Sequence, residues 1–113
     1  MVKKTNTIAQ DQPIAVSDEQ IEKAAEVFRV MSAPMRLRII SALCHGEKNV
    51  GQLIELLGVS QPNMSQHLSI MYRARLVGKR RQGTQVYYHI TDESAVLVCR
   101  AVCTQVAIEL SVD

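Results

Sequence analysis

The stretch NVGQLIELLGVSQPNMSQHLSIMYRARLV, Asn49 to Val77, decides the architecture. It reads as two helices joined by a tight turn. Asn49 can cap a short helix carrying Leu53, Ile54, Leu56 and Leu57, and Gly58 supplies its stop. Val59 leads to Ser60, a second cap, with Pro62 in the first turn that follows. Met64, Leu68 and Met71 repeat at i, i+4 and i+7, which sets them on one inward stripe. Two helices separated by a few residues that include a glycine make a helix-turn-helix signature.

Working outward, Ser17 caps an earlier helix, with Asp18 and Glu19 in its first turn. Ile21, Ala24, Ala25, Phe28 and Met31 repeat along it at helical spacing. Pro34 opens the next helix. Leu37, Ile40, Ser41 and Cys44 lie on one side, Ile39 and Leu43 alongside, and His45-Gly46 closes it. Downstream, LVGKRRQGTQVYYHIT places two strand-forming runs around the turn QGT, a hairpin. Val86 and Tyr88 alternate with Tyr87 and His89, so one face packs and the other is open. Thr91 or Asp92 caps a last helix with the stripe Val96, Cys99, Cys103 and Val106. Leu97, Val102 and Leu110 widen that stripe over most of the circumference, and on a small domain such a helix calls for a second subunit. The order α-α-α-α-β-β-α describes a mainly α fold with a β-hairpin, a winged helix-turn-helix.

With 113 residues the chain suffices for one domain. Residues 17–110 are expected to hold it, behind a polar, flexible lead-in over residues 1–16. No apolar run nears the roughly 20 residues of a membrane span, and no apolar segment follows Lys3 and Lys4 as in a secretory signal. Three sparse cysteines point away from a disulfide framework and toward a reducing cytoplasm. The formal net charge is only +2, but its distribution is uneven. Between Glu55 and Asp92 there is no acidic residue, while Arg73, Arg75, Lys79, Arg80 and Arg81 all fall there. The remainder carries eight basic against eleven acidic residues. A basic window on a mildly acidic body is either a solvated face or the footprint of a polyanion binder.

Three stretches in one co-linear order carry a family resemblance. They are MSAPMRLRII, with Ala33, Pro34, Arg36 and Leu37 in a small-x-Pro-x-Arg-Leu pattern, then SQPNMSQHLSIM, then VGKRRQGTQVYYHIT. Together they resemble the ArsR/SmtB family of bacterial transcriptional repressors over roughly Ile21 to Leu110. The resemblance implies a winged helix that dimerises through its first and last helices. It also implies repression of an operon until a metal ion or other inducer releases the DNA.

The residues agree with a DNA reader. Gln61, Asn63, Ser65, Gln66 and Ser69 offer short polar side chains to a major groove, where Gln and Asn pair with adenine. Ser60 and the helix N-terminus can hold a phosphate. His67 either contacts a base or phosphate or fills a half-buried position. In the wing, Lys79, Arg80, Arg81 and Gln82 are placed to meet the DNA backbone or minor groove. Arg73 and Arg75 complement the helix C-terminus with or without DNA, and Tyr87 and Tyr88 pack the hairpin. A homodimer would set its two reading helices about 34 Å apart and favour a palindromic double-stranded operator. A winged helix used for protein contacts alone is the alternative. No enzyme is expected, because His45, His67 and His89 are scattered and no phosphate loop or HExxH motif occurs.

The inducer turns on Cys44, Cys99 and Cys103. The metal sites that the resemblance implies are incomplete here. Asn49 stands where a thiolate would begin the third helix. On the last helix Asp92 matches a first ligand, but the later positions fall on Gln105 and Ile108. Asp92 therefore reads as an N-cap. Cys99 and Cys103, at i and i+4, share one helix face. With Cys44 they offer three sulfurs to arsenite or another soft ion. Alternatively Cys44 pairs with Cys99 or Cys103 in a redox or polysulfide switch, similar to the family's dithiol members. As a third reading, all three fill the core. No cofactor is required in any of them.

Overall fold

The computed structural model describes residues 15–111, so the lead-in expected over 1–16 falls almost wholly outside the described residues. Helix α1 spans Asp18–Met31 and α2 spans Pro34–Leu43. A two-residue strand β1, Lys48–Asn49, runs straight into α3, Val50–Leu57. Helix α4 covers Gln61–Arg73, strands β2 (Val77–Gln82) and β3 (Gln85–Ile90) form the hairpin, and α5 covers Glu93–Leu110.

The helix starts follow their caps. Ser17 Oγ accepts from the Gln20 amide at 3.1 Å while Gln20 Oε1 accepts from the Ser17 amide at 2.7 Å, a reciprocal capping box. Asn49 and Gln52 repeat this at the start of α3, both bonds at 2.8 Å. Ser60 Oγ accepts from the Asn63 amide, and Asp92 Oδ1 from the Ser94 and Ala95 amides. Gly58 ends α3 in the left-handed region, at φ 70°. Helix α4 ends differently. Arg75 takes a left-handed φ of 66°, and the Leu76 and Arg75 amides donate back to Met71 O and Tyr72 O. This is a Schellman closure built on a residue other than glycine.

The core lies where α2, α3, α4 and the base of the hairpin meet. Ile39, Ile40, Leu53, Met64, Leu68, Met71, Leu76 and Val77 are fully buried there. The Met64/Leu68/Met71 stripe expected from spacing is thus the seam of the domain. Its hairpin is part of a three-stranded antiparallel sheet in the order β1-β3-β2. Strand β1, absent from the sequence reading, pairs Lys48 with Tyr88 and Asn49 with Tyr87. With a neighbour on each side, β3 is half-buried from Val86 to Ile90 rather than cleanly alternating. Tyr88 and Ile90 pack on the core, and Val86 does not join them. Gly78 makes room on β2, since a Cβ there would come within 2.7 Å of His89 Nε2.

Apolar residues on α1 and α5 stay open in the single chain. Ile21 and Phe28 are more than half exposed, as are Leu97, Val102 and Ile108. Every residue of α5 from Arg100 onward is exposed, so its C-terminal half projects beyond the domain's own cover.

Replacing Leu68 by Ala empties the centre of the seam. It should cost about 2–5 kcal/mol in urea unfolding, read as a lower midpoint at unchanged slope. A cost below about 1 kcal/mol would show that the site collapses freely.

Candidate nucleic-acid interface and thiol groove

Burial of Met64, Leu68 and Met71 dictates what α4 shows to solvent. Pro62, Gln66, Ser69 and Arg73, spaced by four, three and four residues, form the opposite face, and all are exposed. Asn63 and Ser65 flank them, also exposed. Ser69 Oγ accepts from Arg73 Nη1 at 2.8 Å, which engages both side chains within the helix. Gln66 makes no such bond among the described residues and stands at the centre of this face. Gln61 turns toward the wing, lining a cleft of about 320 Å³ with Val50, Ile54 and Thr84–Val86. Ser60 is engaged in its capping role, its Oγ accepting from the Asn63 amide, and its hydroxyl keeps one hydrogen to donate.

His67 sits at the edge of the reading face and is half-buried. Its Nδ1 accepts from Arg36 Nε at 3.2 Å, and Arg36 Nη1 donates to Val30 O, a terminal carbonyl of α1, at 2.9 Å. Burial and then the Arg36 charge hold the imidazole below its ordinary pKa, so it is neutral and accepts at physiological pH. Arg36 thus ties α1, α2 and α4 together. Along the sequence Arg36 shows only as part of the Pro-x-Arg-Leu pattern, since the bond to His67 spans 31 residues.

The wing cations are not equivalent. Lys79 Nζ lies 4.5 Å from the centroid of the Tyr72 ring, which anchors it to the end of α4. Arg80 is clamped on several sides. Its guanidinium forms a two-pronged ion pair with Glu47, donates from Nη1 to Gln82 Oε1 at 2.8 Å, and lies over the Tyr87 ring. The hydrogen bond from Arg80 holds the Glu47 carboxyl below its usual range. Arg81 has no ion-pair or hydrogen-bond partner among the described residues. Glu47 escaped the sequence reading because it lies 33 residues before Arg80 and outside the acid-free window.

The three cysteines meet on the other side of α2. A groove of about 540 Å³ runs between α2 and α5, and Cys44, Cys99 and Cys103 all line it. They differ in environment. Cys99 is buried, whereas Cys44 and Cys103 are exposed. The Cys99 and Cys103 sulfurs are 3.9 Å apart. Burial, with the Cys103 contact second, raises the Cys99 thiol to about 11, so it stays protonated at neutral pH. No group of three or more His, Cys, Asp or Glu side chains among the described residues could hold a metal ion. Asp92 is likewise spent as a cap, through Oδ1 at 3.0 Å from the Ser94 amide. No helix among these residues is long and apolar enough to cross a membrane.

Known proteins are similar to this chain in sequence and fold. Residues 33–79 match the family described as bacterial regulatory protein, arsR family. The HTH-type transcriptional regulator KmtR of Mycobacterium tuberculosis is 36% identical over 72% of this chain, which spans 62% of that protein's length. A transcriptional repressor SmtB homolog of Synechocystis is 37% identical, over 84% of this chain and 72% of its own. Among solved structures is the homodimeric winged helix-turn-helix DNA-binding domain of a possible ArsR-family regulator from Mycobacterium bovis. It superposes with a TM-score of 0.73 at 26% identity, over 87% of this chain and 94% of that one.

If the wing meets DNA, Glu47 competes with phosphate for Arg80. Glu47→Gln should therefore tighten binding to duplex DNA by about two- to five-fold and steepen its dependence on salt. Arg81→Ala should weaken binding and lower the salt slope by about one. Anisotropy titrations over a salt series read both. An unchanged slope in both variants would place the wing off the DNA.

Proposed function

The chain belongs to the ArsR family of bacterial regulatory proteins, and we propose that it is a homodimeric operator-binding repressor whose DNA affinity is set by its groove thiols. It is a transcriptional regulator and not an enzyme, as its relatives are. The finer reading rests on one observation above others: all three cysteines line a single groove, away from the polar face of α4. Residues 17–110 carry both parts, in the cytoplasm.

At the DNA, Gln66 with Asn63, Ser65 and Ser69 reads base edges, and Gln61 reads beside the wing. Ser60, Lys79, Arg80, Arg81 and Gln82 grip the backbone, and His67 positions the helix through Arg36. The open apolar residues of α1 and α5, Phe28, Leu97 and Ile108 among them, support pairing with a second copy. A two-fold dimer then favours a palindromic operator.

At the groove, the raised Cys99 thiol is a poor nucleophile and serves as packing. Cys44 on the end of α2 and Cys103 on α5 are the exposed pair left for sensing. An oxidant that accepts two electrons and two protons from them would join their sulfurs and draw the end of α2 against α5. A sulfur donor bridging them would act on the same two elements.

Anisotropy binding of the reduced protein to its own upstream DNA tests this directly. Hydrogen peroxide, a polysulfide, arsenite and Zn(II) are added in turn. Release by peroxide or polysulfide that is lost in Cys44→Ser and Cys103→Ser, but kept in Cys99→Ser, is the expected pattern. Indifference of the complex to every agent would make the cysteines packing residues. In a separate assay at pH 7.5, iodoacetamide should label Cys44 and Cys103 at least about tenfold faster than Cys99, resolved by peptide mass spectrometry. Equal rates would contradict the environment described for Cys99.

A further inference from the structure

The groove between α2 and α5 presents two guanidiniums as well as sulfur. Arg38 comes from α2 and Arg100 from α5, so each wall supplies one. Both are exposed. Neither is paired: the ion pairs among the described residues are Glu26–Arg29 and Glu47–Arg80. No carboxylate lines the groove, and His45 adds a third nitrogen group at its end. Between these polar groups the surface is apolar, formed by Leu37, Val96 and Ala107.

This combination selects a ligand. Two unpaired cations facing one trough repel each other, and an anion seated between them relieves that repulsion. A guanidinium offers its donors as a fork that suits a carboxylate. A bare inorganic anion would meet the cations but leave the apolar surface in water. A neutral hydrocarbon would do the reverse. A volume of about 540 Å³ lies within the range of small-molecule sites.

We infer that the groove binds a small organic anion, a carboxylate on a compact apolar body, with the head between Arg38 and Arg100 and the body on Leu37, Val96 and Ala107. The site has a route to the DNA face. It is built partly on α2, and α2 also carries Arg36, which holds His67 of α4 at 3.2 Å. Ligand binding is independent of the thiol reading, and control of DNA by the ligand rests on the groove being the effector site.

The full chain is titrated with 3-phenylpropionate as the probe. Its controls are 3-phenylpropanol, 3-phenylpropylamine and inorganic phosphate. Calorimetry gives affinity, and amide shifts in ¹H–¹⁵N spectra give location. The carboxylate should bind at least about tenfold more tightly than the alcohol, with shifts confined to the facing sides of α2 and α5 around Arg38 and Arg100. The amine and phosphate should not bind measurably. Arg38→Gln and Arg100→Gln, both at exposed positions that leave the core intact, should each weaken the carboxylate by about tenfold. Equal binding of alcohol and acid, shifts centred on Ile21 and Phe28 of α1, or no binding at all would each overturn the assignment. A DNA titration in saturating carboxylate separates the two readings. Binding without any change in DNA affinity keeps the site and removes its effector role.

Discussion

Everything on the polar face of α4 depends on an apolar seam beneath it. Met64, Leu68 and Met71 have no solvent exposure, and Ile39, Ile40 and Leu53 are buried with them. A helix with three large side chains fixed in this way cannot rotate about its axis without exposing them. Its polar positions are therefore fixed by the burial of the others. The polar face consists of residues that burial leaves over, and its precision is borrowed from the core.

Two small devices extend that precision. Asn49 belongs to two elements at once: its backbone pairs with Tyr87 in the sheet, and its side chain caps α3. The wing and the helix-turn-helix are consequently joined within one residue. Arg36 does the same for the other side, spending one nitrogen on the end of α1 and another on His67. Because His67 must accept this bond, its neutrality is part of the geometry. Its folded pKa is lowered, so the native state favours the unprotonated ring, and this contribution fades as pH falls below the ordinary value of 6.5.

Much of this was legible from periodicity and punctuation. The caps at Ser17, Asn49, Ser60 and Asp92 and the stop at Gly58 are local chemistry, which spacing along the chain reveals. So was the inward stripe of α4. The missing parts are contacts between distant segments. Strand β1 is too short to show a pattern. Arg80 reads from sequence as a wing charge, but Glu47 folds onto it and offsets that charge locally. A window of sequence cannot register an acid from outside itself. The cysteines were legible as a set on two helices, but not as one buried and two exposed thiols. That difference depends on how far along α5 the domain's cover reaches.

The sheet order leaves β2 with no neighbour on its outer side. The backbone amides and carbonyls on that outer side would ordinarily invite another chain to add a strand. Lys79, Arg80 and Arg81 fill the middle of that strand, and two copies brought edge to edge would set these cations against each other. The basic wing is thereby guarded against self-association, so a variant neutralised throughout this edge would also lose solubility.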